Sequence, residues 1–228
     1  MGDNTIPIIL TQYGEAKSPV CINLHDNEYT AVLAARIVLE QTGGLLIKFN
    51  NNRQRLVRFR LRGRQYAFDP NGIFSRAGIE KTLKENGSSS AAAIIEIEKF
   101  ATRILELIPA ENTCLVALHN NNPAGYSVNS YLAGGEKAAD AKLVYKNEKE
   151  DPDDIFLTTD STIYSKMAAK SFNSIWQDNV KAKKDGSLSV YFGEIAKCYV
   201  NVETRHNKTE QYIAMLRALI PVITSSKD

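Results

Sequence analysis

Cys21-Ile22-Asn23-Leu24-His25-Asp26-Asn27-Glu28 is an apolar run that ends in a histidine, with a carboxylate three positions further on. A strand that ends this way delivers an imidazole to the mouth of a sheet. From Asn27 to Thr42 the spacing changes: Val32, Ala35, Ile37, Val38 and Leu39 recur at helical steps, and Gly43-Gly44 stops the pattern. Leu45 to Phe49 then reads as a strand again. Strand, helix, strand is the opening of an α/β chain.

Two later runs repeat the first motif. Thr113-Cys114-Leu115-Val116-Ala117-Leu118 ends in His119, and Tyr199-Val200-Asn201-Val202 ends in Glu203. Around these, Ile6 to Leu10, Lys142 to Tyr145, Ile155 to Thr158 and Phe172 to Trp176 read as further short strands. Arg76 to Lys84, Ser89 to Leu107, Ser161 to Lys170 and Thr209 to Ile220 read as helices. In the second of these Ile94, Ile97, Ala101, Ile104 and Ile108 mark a buried stripe, the preceding serines suit an N-cap, and Pro109 ends it. Asp185-Gly186 is a turn signal before the apolar run Leu188 to Phe192. Strands alternating with helices predict a three-layer αβα domain around a mixed central sheet, a single domain over residues 1–228. In such sheets ligands sit outside the carboxyl ends of the strands, where His25, His119 and Glu203 fall.

Leu56 to Arg64 alternates strictly, with Arg58, Arg60, Arg62 and Arg64 on one face and Val57, Phe59 and Leu61 on the other. It could be a basic ribbon for a polyanion. The plainer reading is a half-exposed antiparallel strand with a solvated arginine side, because no exposed aromatics are interleaved for base stacking.

The totals exclude several classes. The 228 residues are 43% hydrophobic and 24% charged, an ordinary globular balance. A net charge of +2 makes a nucleic-acid partner an unlikely expectation, apart from the local arginine face. No apolar stretch approaches the roughly 18 residues of a membrane span. Met1 to Asn4 does not open a signal peptide, so the compartment is cytoplasmic by default, with a trimmed secreted chain as the alternative. Cys21, Cys114 and Cys198 lie in strand-like runs without CxxC spacing and read as buried thiols. Any metal would then be held by nitrogen and oxygen.

Catalytic zinc takes three protein ligands, commonly two His and one Glu, and leaves a position for water. His25 and Glu28 supply two of these from one turn, and His119 the third from a neighbouring strand. Glu203 is then the general base and later proton donor. Only three histidines occur in the chain, and two of them close apolar strands. His206 lies just past Glu203, and its plainer reading is a surface histidine in the Thr204 to Lys208 loop.

His25-Asp26-Asn27-Glu28-Tyr29-Thr30 followed by a helix resembles the His-Gly-Asn-Glu-Thr opening of the succinylglutamate desuccinylase and aspartoacylase family, relatives of the zinc carboxypeptidases. The separation of His119 from His25 and the strand leading to Glu203-Thr204 are similar to that family's as well. The resemblance touches most of the chain as islands. It implies an αβα fold, one zinc ion, and hydrolysis of an amide bond next to a free carboxylate in a small molecule or peptide. It also departs from the family. Where an Asp-x-Asn-Arg pattern holds the substrate and stabilises its oxyanion, this chain has Asp69-Pro70-Asn71-Gly72. Asn71 carries over and the arginine does not. Arg76 or Arg64 would have to substitute, or the protein is a weak or inactive relative that binds its ligand without turnover. Asp26 stands where the family has glycine. Tyr126 and Tyr131, in the loop after His119, are candidates to bind substrate or merely to close that loop.

Overall fold

The structure, a computed structural model, describes residues 1–111, 114–121 and 127–224. Its elements are β1 (Ile8–Tyr13), β2 (Val20–Asn23), α1 (Tyr29–Thr42), β3 (Gly44–Phe49), β4 (Val57–Leu61), β5 (Arg64–Phe68), α2 (Arg76–Glu85), α3 (Ala91–Glu106), β6 (Cys114–Asn121), β7 (Ala141–Tyr145), β8 (Ile155–Thr158), α4 (Ser161–Ala169), β9 (Asn173–Gln177), α5 (Leu188–Glu194), β10 (Cys198–Arg205) and α6 (Thr209–Thr224). Eight strands form one mixed sheet in the order β1-β3-β2-β6-β10-β8-β9-β7, and β4 with β5 forms a separate hairpin. The central strands β3, β2, β6 and β10 are mutually parallel. Antiparallel pairs close both ends, β1 on β3 and β7 on β9.

Helices cover both faces, so β2 and β6 are buried at every position and carry no polar alternation. On one face α1, α4 and α6 pack Ala34, Val38, Met167, Leu216 and Leu219 against Val116, Val200 and Val202. On the other, α2, α3, α5 and the hairpin pack Leu83, Ile97, Ile104, Phe59 and Phe192 against Ile22, Leu115, Ala117 and Tyr199. This is the three-layer αβα architecture expected from the sequence. Because side chains alternate along a strand, His119 and Glu203 share the face of Ala117 and Tyr199, the side covered by the hairpin, α2, α3 and α5.

Three expectations change, and one run without an assigned element becomes a helix. Leu56 to Arg64 is not one strand: the chain reverses at Arg62-Gly63, both with positive φ (51° and 77°), and Arg64 belongs to β5. His119 and Glu203 are not terminal, because β6 and β10 stay paired two residues further, to Asn121 and Arg205. Backbone pairing is indifferent to the polar side chains of Asn120 and Thr204. The run Leu188 to Phe192 is helical, in α5. Finally, only Cys21 is a free buried thiol; Cys114 and Cys198 form a disulfide. Those two cysteines lie 84 residues apart and become direct partners in the β6–β10 register, a neighbourhood that spacing alone does not reveal. No helix among the described residues is long and apolar enough to cross a membrane.

Candidate metal centre

β2 pairs with β6 only as far as Ile22 opposite Ala117. Beyond that point the Asn23 side-chain amide donates to Leu118 O at 2.9 Å, and the chain turns out of the sheet. The turn is closed by Glu28 N donating to His25 O at 3.0 Å, which places both side chains on one side of the start of α1. His119 approaches from β6.

His25 Nδ1 lies 3.0 Å from Glu28 Oε1 and 3.3 Å from His119 Nδ1, and His119 Nδ1 lies 3.0 Å from Glu28 Oε2. The three side chains are the cluster able to hold a metal among the described residues, and their residues are 0%, 1% and 6% exposed. Behind His25, Asp69 Oδ1 accepts from Nε2 at 2.8 Å. That bond sets the tautomer: Nε2 carries the proton and Nδ1 turns its lone pair inward. Two imidazole nitrogens 3.3 Å apart repel as bare lone pairs, so either a ring proton on one of them or a metal ion belongs between them. A His-Glu-His donor set of nitrogen and oxygen, with a carboxylate backing one imidazole, fits zinc. In the metal-free chain burial disfavours the His25 cation, but Glu28 and Asp69 outweigh it and push the imidazole up to about 9. Burial likewise opposes ionisation of Glu28 and Asp69, and their contacts with the histidines hold both well below the usual carboxylate range.

Arg55 was not among the sequence candidates. Its guanidinium donates to Glu28 Oε1 at 2.9 Å and to Asp69 Oδ2 at 3.2 Å. It is brought there by Asp26, whose carboxylate accepts from Asn51 N at 2.7 Å, Arg53 N at 2.8 Å and Lys48 Nζ at 3.1 Å. Asp26 thus ties the β3–β4 loop to the metal-ligand turn. The conformation of that loop has no periodic signal, and only the position of Arg53 and Arg55 at the head of the arginine run could have drawn attention to it.

Asn71 sits in a short turn capped by Asp69, which accepts from Asn71 N at 2.9 Å; its side-chain oxygen accepts from Leu188 N at 3.4 Å. It lines a cleft of about 210 Å³ together with Arg55, Asp69, Gly72, Lys81 and Asp185. Arg76 is not in that cleft's lining. It pairs on the outer surface with Glu98 at 2.8 Å and Glu80 at 3.5 Å, because the first turn of α2 faces α3. Arg64 lies on the hairpin, its guanidinium over the Tyr66 ring. The arginine brought to the cluster is therefore Arg55, not Arg76 or Arg64.

Glu203 is buried directly beside His119 in the β6–β10 register and accepts from Asn201 Nδ2 at 3.1 Å. Tyr131 is buried too; burial first and the Glu203 charge second push its phenol far up, so it stays protonated beside that carboxylate. Tyr126 lies outside the described residues. His206 stacks at 5.5 Å on Tyr29, next to Asn207, which accepts from the Tyr29 hydroxyl. It packs on the start of α1.

No protein-family model matches this chain, and no curated protein matches it.

Proposed function

We propose that the protein is a zinc-dependent hydrolase that cleaves an amide bond next to a free carboxylate, in an N-acyl amino acid or a peptide. The observation that carries this reading is the convergence of His25 Nδ1, Glu28 and His119 Nδ1 with Asp69 behind His25. His25, Glu28 and His119 would hold the zinc ion, which when bound would supply Lewis acidity to activate water and to polarise the scissile carbonyl. Glu203 takes the proton from the attacking water and returns it to the leaving nitrogen. Asn201 orients its carboxylate through the 3.1 Å hydrogen bond to Oε2. The Tyr131 hydroxyl, protonated at all working pH values, is a neutral donor at the same wall. Arg55 provides the charged donor that Gly72 does not: its guanidinium is half exposed, faces the cleft, and is steadied by two carboxylates. Asn71 and Arg55 hold the carboxylate side of the substrate in a cleft whose volume suits a single amino-acid unit.

Protein purified without added metal is expected to carry about one zinc per chain, lost in His25→Ala. Absence of zinc in both, by elemental analysis, removes the proposal. Glu203→Gln should retain zinc and lose hydrolysis of N-acyl amino acids.

One observation favours a second reading, a ligand-binding relative without turnover. Gly72 lines the cleft, and a Cβ added there meets only Thr82 at 3.7 Å, so no steric demand explains the absence of arginine. If Gly72→Arg switches on hydrolysis that the parent lacks, the parent is the binder.

A further inference from the structure

Arg53, Arg55, Arg58, Arg60, Arg62 and Arg64 fall within one stretch, and no Asp or Glu occurs from Asn51 to Phe68. All of them are exposed, and apart from Arg55 none forms an ion pair with a carboxylate among the described residues. Arg58 donates to Gln54 Oε1 at 2.6 Å, an amide partner that leaves its charge uncompensated. Arg60 and Arg58 also line a second cavity of about 200 Å³, together with Asn4, Phe59 and Gln65. Every polar side chain in that lining is a cation or an amide. Packing brings Asp3, whose amide donates to Arg60 O, and Glu96, which accepts from Gly2 N at 3.3 Å, alongside the hairpin, and neither makes an ion pair with these arginines among the described residues. The guanidinium charges of this face are left without carboxylate partners among the described residues.

We propose that the outer face of the β4–β5 hairpin is a docking strip for an extended, acidic peptide segment. Alternate residues on a strand are spaced about 7 Å apart, so Arg58 and Arg60 match carboxylates on alternate residues of an extended chain. The guanidinium fork pairs with carboxylate in bidentate fashion. A nucleic acid is disfavoured because the face offers no ring for a base: Tyr66 is 5% and Phe59 1% exposed. That the docked segment belongs to the substrate rests on the hydrolase reading above; the docking itself rests only on the arginines and the cavity.

The test is binding of a fluorescein-labelled oligoglutamate to the full chain by fluorescence anisotropy, with a single-stranded oligonucleotide as competitor. Wild type should bind with an affinity that falls as salt rises. R58Q/R60Q should weaken it about tenfold or more, while K99Q/R103Q, which removes the same charge from α3, should leave it unchanged. No binding by wild type, equal binding by R58Q/R60Q, equal loss in both variants, or an oligonucleotide that binds more tightly than the oligoglutamate each overturns the proposal. Both double substitutions are on exposed side chains, and unchanged circular dichroism verifies that they fold. Because the measurement is of binding alone, a protein that lacks zinc or turnover would refute the reading of the metal centre and leave this result standing.

Discussion

Glu28 occupies the N-cap position of α1 without capping it. Its carboxylate is turned to His25 and His119, and the open donor at Ala31 N is satisfied instead by Asn120 Oδ1 at 3.1 Å, from the residue after His119. Asn120 also donates to Thr204 O, so one side chain joins the helix start to β6 and β10. In the proposed centre a proton and the metal compete for the same place. Since the His25 imidazole is raised to about 9 in the metal-free chain, its charge stabilises the folded apoprotein fully below its ordinary value near 6.5. That contribution is lost as pH rises through about 9. Zinc uptake at pH 7 should therefore release a proton and tighten as pH is raised toward 9; calorimetry in buffers of different ionisation enthalpy checks this. Asp69→Asn removes the acceptor charge behind His25 and should weaken zinc binding about 10- to 100-fold, measured by competition with a chelator. Arg55→Ala should keep the zinc and lower kcat by about 10² to 10³.

Among the elements, the segments flanking the hairpin bring Arg55 and Asp69 to one side of the cleft, and α2 forms the other. The hairpin turn places Arg62 at φ 51° and Gly63 at φ 77°, the left-handed pair of a two-residue hairpin connection. Asparagine adopts that region more readily than arginine. Arg62→Asn should raise stability by about 1 kcal/mol, read from a denaturant midpoint. At the other side, Gly78 of α2 crosses Gly72 and Gly186 so closely that a Cβ would lie 2.5 Å from Gly72 O and 2.6 Å from Gly186 Cα. This backbone contact brings Asp185 to the cleft. Gly78→Ala should lower stability by about 1 to 3 kcal/mol through overpacking. The helix stripe of α3 and its Ser90 cap were readable in sequence because both are local patterns. The hairpin was half read: alternation gave Val57 and Phe59 their buried side, but the reversal depends on two backbone angles that alternation does not report.

At the scale of the whole molecule, the layer opposite the site supports it through the sheet. Tyr212 of α6 is fully buried; its hydroxyl donates to Val202 O at 2.6 Å and accepts from His119 N at 3.0 Å. It pins the backbone of His119, a candidate metal ligand, and the strand that carries Glu203 from behind. Tyr212→Phe leaves His119 N without that partner and should cost about 1 to 3 kcal/mol. The disulfide ties the same two strands at their other end. Alkylation of unfolded, unreduced protein should label Cys21 alone, and all three cysteines after reduction. In the folded protein Cys21 should resist labelling at pH 8, since burial pushes its thiol up to about 12.

The αβα architecture, the hydrophobic stripes and the candidates His25, Glu28, His119 and Glu203 were all present in the sequence, because period and polarity report which way a local segment must face. Tertiary structure alone decided that Arg55 and Asp69, not Arg76, stand at the histidines, and that Cys114 meets Cys198. These pairings depend on strand order and on a loop folded over Asp26. Strand order is set by the packing of the whole chain, and a loop held by side-chain hydrogen bonds leaves no repeating trace along it.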